Sequence, residues 1–307
     1  MESPGTTTAV FPDSRVFPSS QKILKNIAGK YCFIPLFHVN YNTSTDHRRI
    51  FTMKLNSFET FMERIKSGTP ALGTCITLGD PAVTEIAAAS GLDFCWIDGE
   101  HGILDRVEMQ MHIMALRGTD CAPLVRVPVN DHTEVKKIID LAPAGIIIPM
   151  VNCAEDAARA VAACRYPMHG GDRGCGFRRG SNYGTIALDD FFERSKEEPL
   201  IIPQIEHITA YRNLDEILDV PGIGSIMIGP YDMSASMGIP GEFDDAELNR
   251  MFDDICRKCA ERSIPVGVFT ERGFARWWER GVNYMCIAND TSALMNGLRY
   301  VIEMSRR

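Results

Sequence analysis

Between residues 71 and 304 eight short apolar runs alternate with eight longer segments of helical period, and few folds accept that alternation. The runs cover residues 71–76, 94–97, 123–127, 145–150, 200–205, 225–228, 266–269 and 284–288. Near-continuous apolar runs of this length are typical of parallel strands covered on both faces. The helical segments cover 81–90, 106–116, 132–141, 154–165, 208–218, 244–262, 273–280 and 291–304. Asp80 and Pro81 form a helix start, and Gly91, Gly118 and Gly281 fall where helices should stop. An open doubly wound sheet would also alternate strand and helix, but it usually carries a glycine-rich nucleotide turn after its first strand. Here Thr77-Leu-Gly-Asp-Pro81 follows instead. The pattern predicts an α/β fold, a (β/α)8 TIM barrel over residues 54–307, with no second core required.

The first 53 residues differ in kind. They are rich in Ser, Thr, Pro and Asn and lack sustained periodicity, so they are expected to form a poorly structured extension outside the barrel. Their low acid content and hydroxyl-rich character resemble a mitochondrial transit peptide, although only three arginines appear. A start at Met53 is equally consistent, because a helix begins soon after it with Asn56 or Ser57 as cap.

The chain carries a net charge of -8, and the extension holds three acids against six bases, so the barrel region is more acidic than the whole. Without a basic stripe it is not expected to bind nucleic acid. No apolar run approaches the roughly 20 residues that span a bilayer. The ten cysteines sit mostly inside strands and helices, which predicts reduced thiols in a cytoplasmic protein, with a mitochondrial location as the alternative. Cys256 and Cys259 form a C-x-x-C without a partner pair and are expected to be buried.

In such a barrel the side chains at the carboxyl ends of the strands converge on one mouth. Asp98 and His101 follow the second run across a glycine-assisted turn, where an Asp can fix the tautomer of a His. A plain Asp-Gly turn with a solvated His is the other reading. Arg126, in apolar surroundings, requires an anion, either a ligand or an internal partner such as Asp98 or Glu100. Glu206 and Asp232 close the fifth and sixth runs. Two carboxylates completed by water and substrate oxygens suit a hard divalent cation, Mg2+ first, with Mn2+ or Co2+ possible. Alternatively, Glu206 is a helix-dipole acid and Asp232 a turn cap.

Taken in order, Asp98-Gly-Glu-His101, Leu124-Val-Arg126-Val-Pro, Gly145-Ile-Ile-Ile-Pro-Met150, Gln204-Ile-Glu206 and Ile228-Gly-Pro-Tyr-Asp232-Met-Ser-Ala-Ser-Met-Gly238 carry a resemblance. Over residues 56–304 the chain resembles the 2,4-dihydroxyhept-2-ene-1,7-dioate aldolase and citrate lyase beta-like superfamily of metal-dependent (class II) pyruvate aldolases. Trp96 gives it a more distant likeness to fungal macrophomate synthase. The resemblance implies a divalent metal on Glu206 and Asp232, and a pyruvate enolate held by that metal and Arg126. It further implies an Asp98–His101 dyad for proton transfer, Gln204 lining the site, and the backbone at Tyr231-Asp232 on the substrate carboxylate. Homologous assemblies imply a homo-trimer or homo-hexamer. Tyr231 stands where many relatives have Ala, and Phe269 where smaller aliphatics are common; both are expected to narrow the substrate pocket.

The reaction so implied is reversible retro-aldol cleavage of a 4-hydroxy-2-oxo acid into pyruvate and an aldehyde, a carbon-carbon lyase reaction. None of the eight runs contains a lysine, which argues against a Schiff-base aldolase. The alternatives are oxaloacetate decarboxylation, a biosynthetic condensation of the macrophomate synthase kind, or non-catalytic binding of a 2-oxo acid. The long segment 166–199 carries Arg173, Arg178, Arg179 and Tyr183 and is expected either to be a lid that clamps a second substrate carboxylate or to carry solvated surface arginines.

Overall fold

The computed structural model describes residues 54–307; the extension expected for residues 1–53, and the targeting reading attached to it, lie outside the described residues. Helix α1 (Phe58–Lys66) comes first, followed by β1 (Ala71–Ile76), α2 (Ala82–Ala89), β2 (Phe94–Asp98), α3 (Arg106–Ala115) and β3 (Ala122–Arg126). The chain continues through α4 (His132–Ile139), β4 (Gly145–Ile148), α5 (Ala154–Cys164), α6 (Leu188–Arg194), β5 (Leu200–Ile205), α7 (Ile208–Arg212) and α8 (Leu214–Leu218). It ends with β6 (Ile226–Ile228), α9 (Pro230–Ser236), α10 (Ala246–Glu261), β7 (Val266–Phe269), α11 (Phe274–Glu279), β8 (Tyr284–Asn289) and α12 (Asp290–Ser305). All eight strands are parallel and close as β1-β2-β3-β4-β5-β6-β7-β8, with β8 returning to β1. The fold is the (β/α)8 barrel that the alternation predicts.

Alternation along the strands sorts the core into two layers. Phe94, Trp96, Leu124, Leu200, Ile202 and Tyr284 belong to the inner cluster, which α1 plugs from below with Phe58, Phe61 and Ile65. Phe61, Phe94 and Tyr284 meet edge to face at 5.5–5.7 Å. Gly73 and Gly267 make room for two of those rings: a Cβ on Gly73 would lie 2.5 Å from Phe94, and one on Gly267 2.2 Å from Tyr284. The second cluster, including Ile97, Val125, Ile146 and Ile205, packs outward against the helices. Because a strand has period two, the residues that continue the inward series at the strand ends are Asp98, Arg126, Gln204 and Glu206.

The predicted helix over 208–218 is divided at Asn213, whose side chain donates to the Asn152 carbonyl at 2.8 Å and whose backbone leaves the helical region. Gly91, Gly118 and Gly281 adopt the positive φ expected after helix ends. Cys256 and Cys259 are buried on α10, and burial pushes both thiols up to about 12. Among the described residues no helix is long and apolar enough to cross a membrane.

The segment 166–199 is not a lid. It leaves the C-terminus of α5 and enters the start of β5, so it lies at the end of the barrel opposite the mouth. Arg179 is buried and donates to the carbonyls of Leu55, Ile113, Leu141 and Ala142. Arg173 stacks on Tyr166 and reaches Asp140 at 3.4 Å. Arg179 thus satisfies buried backbone carbonyls and Arg173 an internal carboxylate and ring, and none of the segment's residues lines the mouth cavity.

Candidate active site

A cavity of about 250 Å3 opens at the carboxyl ends of the strands. Asp98, His101, Arg126, Gln204, Tyr231, Asp232 and Phe269 line it together with Cys75, Thr77, Trp96, Gly229, Pro230 and Asn289. Glu206 is buried immediately beside Gln204 and Gly229; a Cβ on Gly229 would lie 3.1 Å from Glu206 Oε2. Every residue expected at the site from the sequence is therefore in or against one cavity.

One of the expected pairings differs from what the residues form, whereas the internal partners offered for Arg126 are both found. Asp98 does not hold His101. Its carboxylate accepts from Arg126 Nε at 2.8 Å and Nη2 at 2.7 Å, and from the backbone N–H of Glu100 at 3.1 Å and of His101 at 3.4 Å. β2 and β3 are in register at Asp98 and Arg126, so the inward guanidinium meets the inward carboxylate before the turn can bring the imidazole round. The His101 ring is 70% exposed, with Nε2 at 3.9 Å from Glu100 Oε2. Glu100, singled out only as a possible partner of Arg126, also contacts Arg126 Nη1 at 2.7 Å, as an ion pair rather than an aligned hydrogen bond. Its place two residues beyond Asp98, on the same glycine turn, was the available signal.

Burial alone would raise Asp98. The Arg126 hydrogen bonds and charge, with the two backbone donors, outweigh that and hold it below the usual carboxylate range. Glu100 is pushed up, chiefly by burial. Trp96 lies beneath Arg126, with the guanidinium carbon 4.9 Å from its ring centroid, and packs edge to face on Phe269.

Glu206 is in the opposite electrostatic situation. Burial pushes it up to about 7, against the donated N–H of Met150, and the charges of Asp232 and Glu100 add to the rise. Met150 presents that N–H at 2.7 Å from a left-handed conformation, φ 54°. Backbone held this way without glycine gathers at functional sites. Gln204 Nε2 donates to the other Glu206 oxygen, and Gln204 Oε1 is buried without a partner. A buried carboxylate surrounded by acids calls for a cation. Among the described residues no group of three or more His, Cys, Asp or Glu converges as a closed metal cluster. Two carboxylates are hard oxygen donors, and with water and substrate oxygens completing the shell they would suit a hard divalent ion.

Fold and mouth together describe a (β/α)8 barrel with an acidic, arginine-bearing site at the carboxyl ends of its strands. Residues 73–282, more than half of the chain, match the HpcH/HpaI aldolase/citrate lyase family, and the chain belongs to that family. It is 31% identical over 242 residues to the hydroxypyruvate/pyruvate aldolase of Agrobacterium fabrum, across 78% of this chain and 90% of that protein. The HpcH/HpaI aldolase from Desulfitobacterium hafniense superposes with a TM-score of 0.74 at 25% identity, across 80% of this chain and 96% of that one. Macrophomate synthase shares the fold, with a TM-score of 0.71 at 23% identity across 82% and 89% of the two chains.

Proposed function

We propose that the protein is a metal-dependent pyruvate aldolase that reversibly cleaves a 4-hydroxy-2-oxo acid to pyruvate and an aldehyde. The observation that carries this reading is the single cavity bounded by the Arg126 fork, Gln204, Asp232 and the adjoining Glu206, in a chain of the aldolase/citrate lyase family. Glu206 and Asp232 would hold a divalent ion, Mg2+ in our reading with Mn2+ or Co2+ as substitutes. Such an ion supplies electrophilic stabilisation where the 2-oxo group gains charge. Arg126 has five N–H donors, of which three face Asp98 and Glu100. The remaining two bind and orient the developing enolate oxygen. The N–H groups at Tyr231 and Asp232, in the first turn of α9, take the substrate carboxylate. Trp96, Tyr231 and Phe269 shape the space left for the aldehyde. Release of pyruvate from 4-hydroxy-2-oxo acids, measured with and without EDTA, tests the reading; no release with a panel of such substrates would sink it.

His101, on the rim, is the proposed acceptor of the 4-hydroxyl proton, with Glu100 rather than Asp98 as its nearest carboxylate. His101→Ala should slow retro-aldol cleavage by roughly 100- to 10,000-fold, the usual span for a general base. Oxaloacetate decarboxylation has no such proton to remove and should fall much less. Equal losses in the two assays would reassign His101 to positioning.

A homo-oligomer, trimer or hexamer, belongs to the same reading, and α12 supports it. The helix is anchored at its start, where the buried Asp290 carboxylate accepts from Thr77 and Leu78 N–H at 2.8 Å. Beyond that point Leu294, Met295, Leu298, Tyr300, Val301 and Ile302 are all exposed. An apolar run of this extent marks an interaction surface. Leu298→Glu with Val301→Glu should convert the assembly to smaller species in light scattering; a wild-type protein that is monomeric at micromolar concentration contradicts the assignment. A cytoplasmic location is also part of the proposal, supported by the free thiols of the described cysteines.

A further inference from the structure

Asn213 interrupts an otherwise helical run, with φ -102° and ψ 16° between α7 and α8, and turns its side chain back toward the preceding strand-helix unit. Asn leaves a helix readily when its amide finds a partner elsewhere. Here the partner is the Asn152 carbonyl, 2.8 Å from Asn213 Nδ2, on the turn between β4 and α5.

The same turn carries Met150, and all four main-chain polar groups of Met150 and Asn152 are engaged. Met150 N–H donates to Glu206 Oε1 at 2.7 Å, and its carbonyl accepts from Asn152 Nδ2 at 3.3 Å. Asn152 N–H donates to Asp156 Oδ2 at 2.9 Å, and its carbonyl takes the Asn213 amide. Two of these four bonds reach distant chain, and both end on one strand-helix unit: Glu206 follows β5 and Asn213 follows the five-residue α7. The result is a closed ring that runs from Glu206 through α7, Asn213, Asn152 and Met150 back to Glu206.

The spacer in that ring is fixed at its own start. Ile208 N–H donates to Ser236 Oγ at 2.9 Å, and Thr209 N–H to His207 Nδ1 at 3.1 Å. Ser236 ends α9, the helix whose first turn holds Asp232. Met150 meanwhile keeps φ 54° without being glycine, a conformation that persists only where the surroundings over-determine it. The ring supplies that constraint.

We infer that Asn213 is a positioning residue for Glu206: its amide fixes the β4–α5 turn so that the Met150 N–H meets Oε1 and sets the direction of the carboxylate. The inference rests on the metal reading of Glu206 and Asp232, to which it adds the group that orients one of the two acids. Removal of such an outer partner typically costs 10- to 100-fold in metal affinity.

N213A removes the amide and puts a good helix former in its place, so the barrel should stay folded. Its affinity for Mg2+ and Mn2+, measured by calorimetry, should fall by roughly 10- to 100-fold. N130A is the control: Asn130 Nδ2 donates to the Asp156 carbonyl at 2.9 Å and ties the start of α5 without belonging to the ring. It should keep wild-type affinity. A second readout needs no ion. In the metal-free protein the Met150 amide proton, bonded to a carboxylate, is expected downfield in NMR spectra; it should move upfield in N213A, as in Glu206→Gln, and stay in place in N130A. A wild type that binds neither ion but shows this amide pattern sinks the metal reading and keeps Asn213 as the residue that positions Glu206. A Met150 amide unmoved in N213A, an ion affinity in N213A equal to that of a metal-binding wild type, or the same loss in N130A overturns the inference.

Discussion

Glu206→Gln is expected to abolish divalent-ion binding and to reduce retro-aldol turnover by roughly 1,000-fold or more, the equivalent of several kcal/mol at 1.36 kcal/mol per tenfold. Gln keeps the shape and the Met150 contact, so the barrel should stay folded. The metal-free wild type adds a pH signature. Glu206 is pushed up to about 7 by burial, above its unfolded value, so its contribution to stability is fully present below the ordinary carboxylate pKa. It is lost progressively as pH rises from that ordinary value through 7, a change of about 3 kcal/mol over the whole interval for this one group. Metal needs the ionised carboxylate, so affinity runs the other way and should fall by up to about tenfold per pH unit below 7. Calorimetric titrations with Mg2+ and Mn2+ at pH 6 and 8, alongside denaturant melts of the metal-free protein from about pH 5 to 8, measure both slopes. Wild-type affinity in Glu206→Gln would remove this residue from the metal site.

Arg126→Lys should lower kcat/KM by roughly 100- to 1,000-fold, the loss typical of one preorganised donor at a developing oxyanion. The ammonium keeps the charge but not the fork. One guanidinium now grips Asp98 with two nitrogens, contacts Glu100 with the third and has two donors to spare. Arg126→Met should add a fold penalty of roughly 3–5 kcal/mol, because it leaves Asp98, only 2% exposed, without its counter-ion. Asp98→Asn in the same background should recover part of that stability and none of the activity. Near-normal kcat/KM in Arg126→Lys would show that Arg126 is a structural partner of Asp98 and nothing more.

Most of the barrel was legible in the chain. The runs at 71–76, 200–205 and 266–269 coincide with β1, β5 and β7 at both ends. Strand-end residues were legible for the same reason, since the side chain that follows an inward apolar residue at a spacing of two must also face inward. The lid reading of 166–199 went wrong on topology, not composition. A segment between a barrel helix and the next strand belongs to the end opposite the mouth, and Arg179 is spent on backbone carbonyls there. Asn213 reads as an ordinary helical position until its side chain finds the Asn152 carbonyl, 61 residues away in sequence.

Local pattern in the sequence determined the strands, most of the helices, their order and the main polar residues that converge at the mouth, because period and parity are properties of neighbouring positions. Tertiary structure alone decided who pairs with whom. Asp98 is three residues from His101 and 28 from Arg126, yet strand register sets it against the arginine and leaves the imidazole to solvent. Likewise Glu206 acquires its elevated pKa from burial beside Asp232 and Glu100. Dielectric and charge act through space, and no spacing along the chain records them.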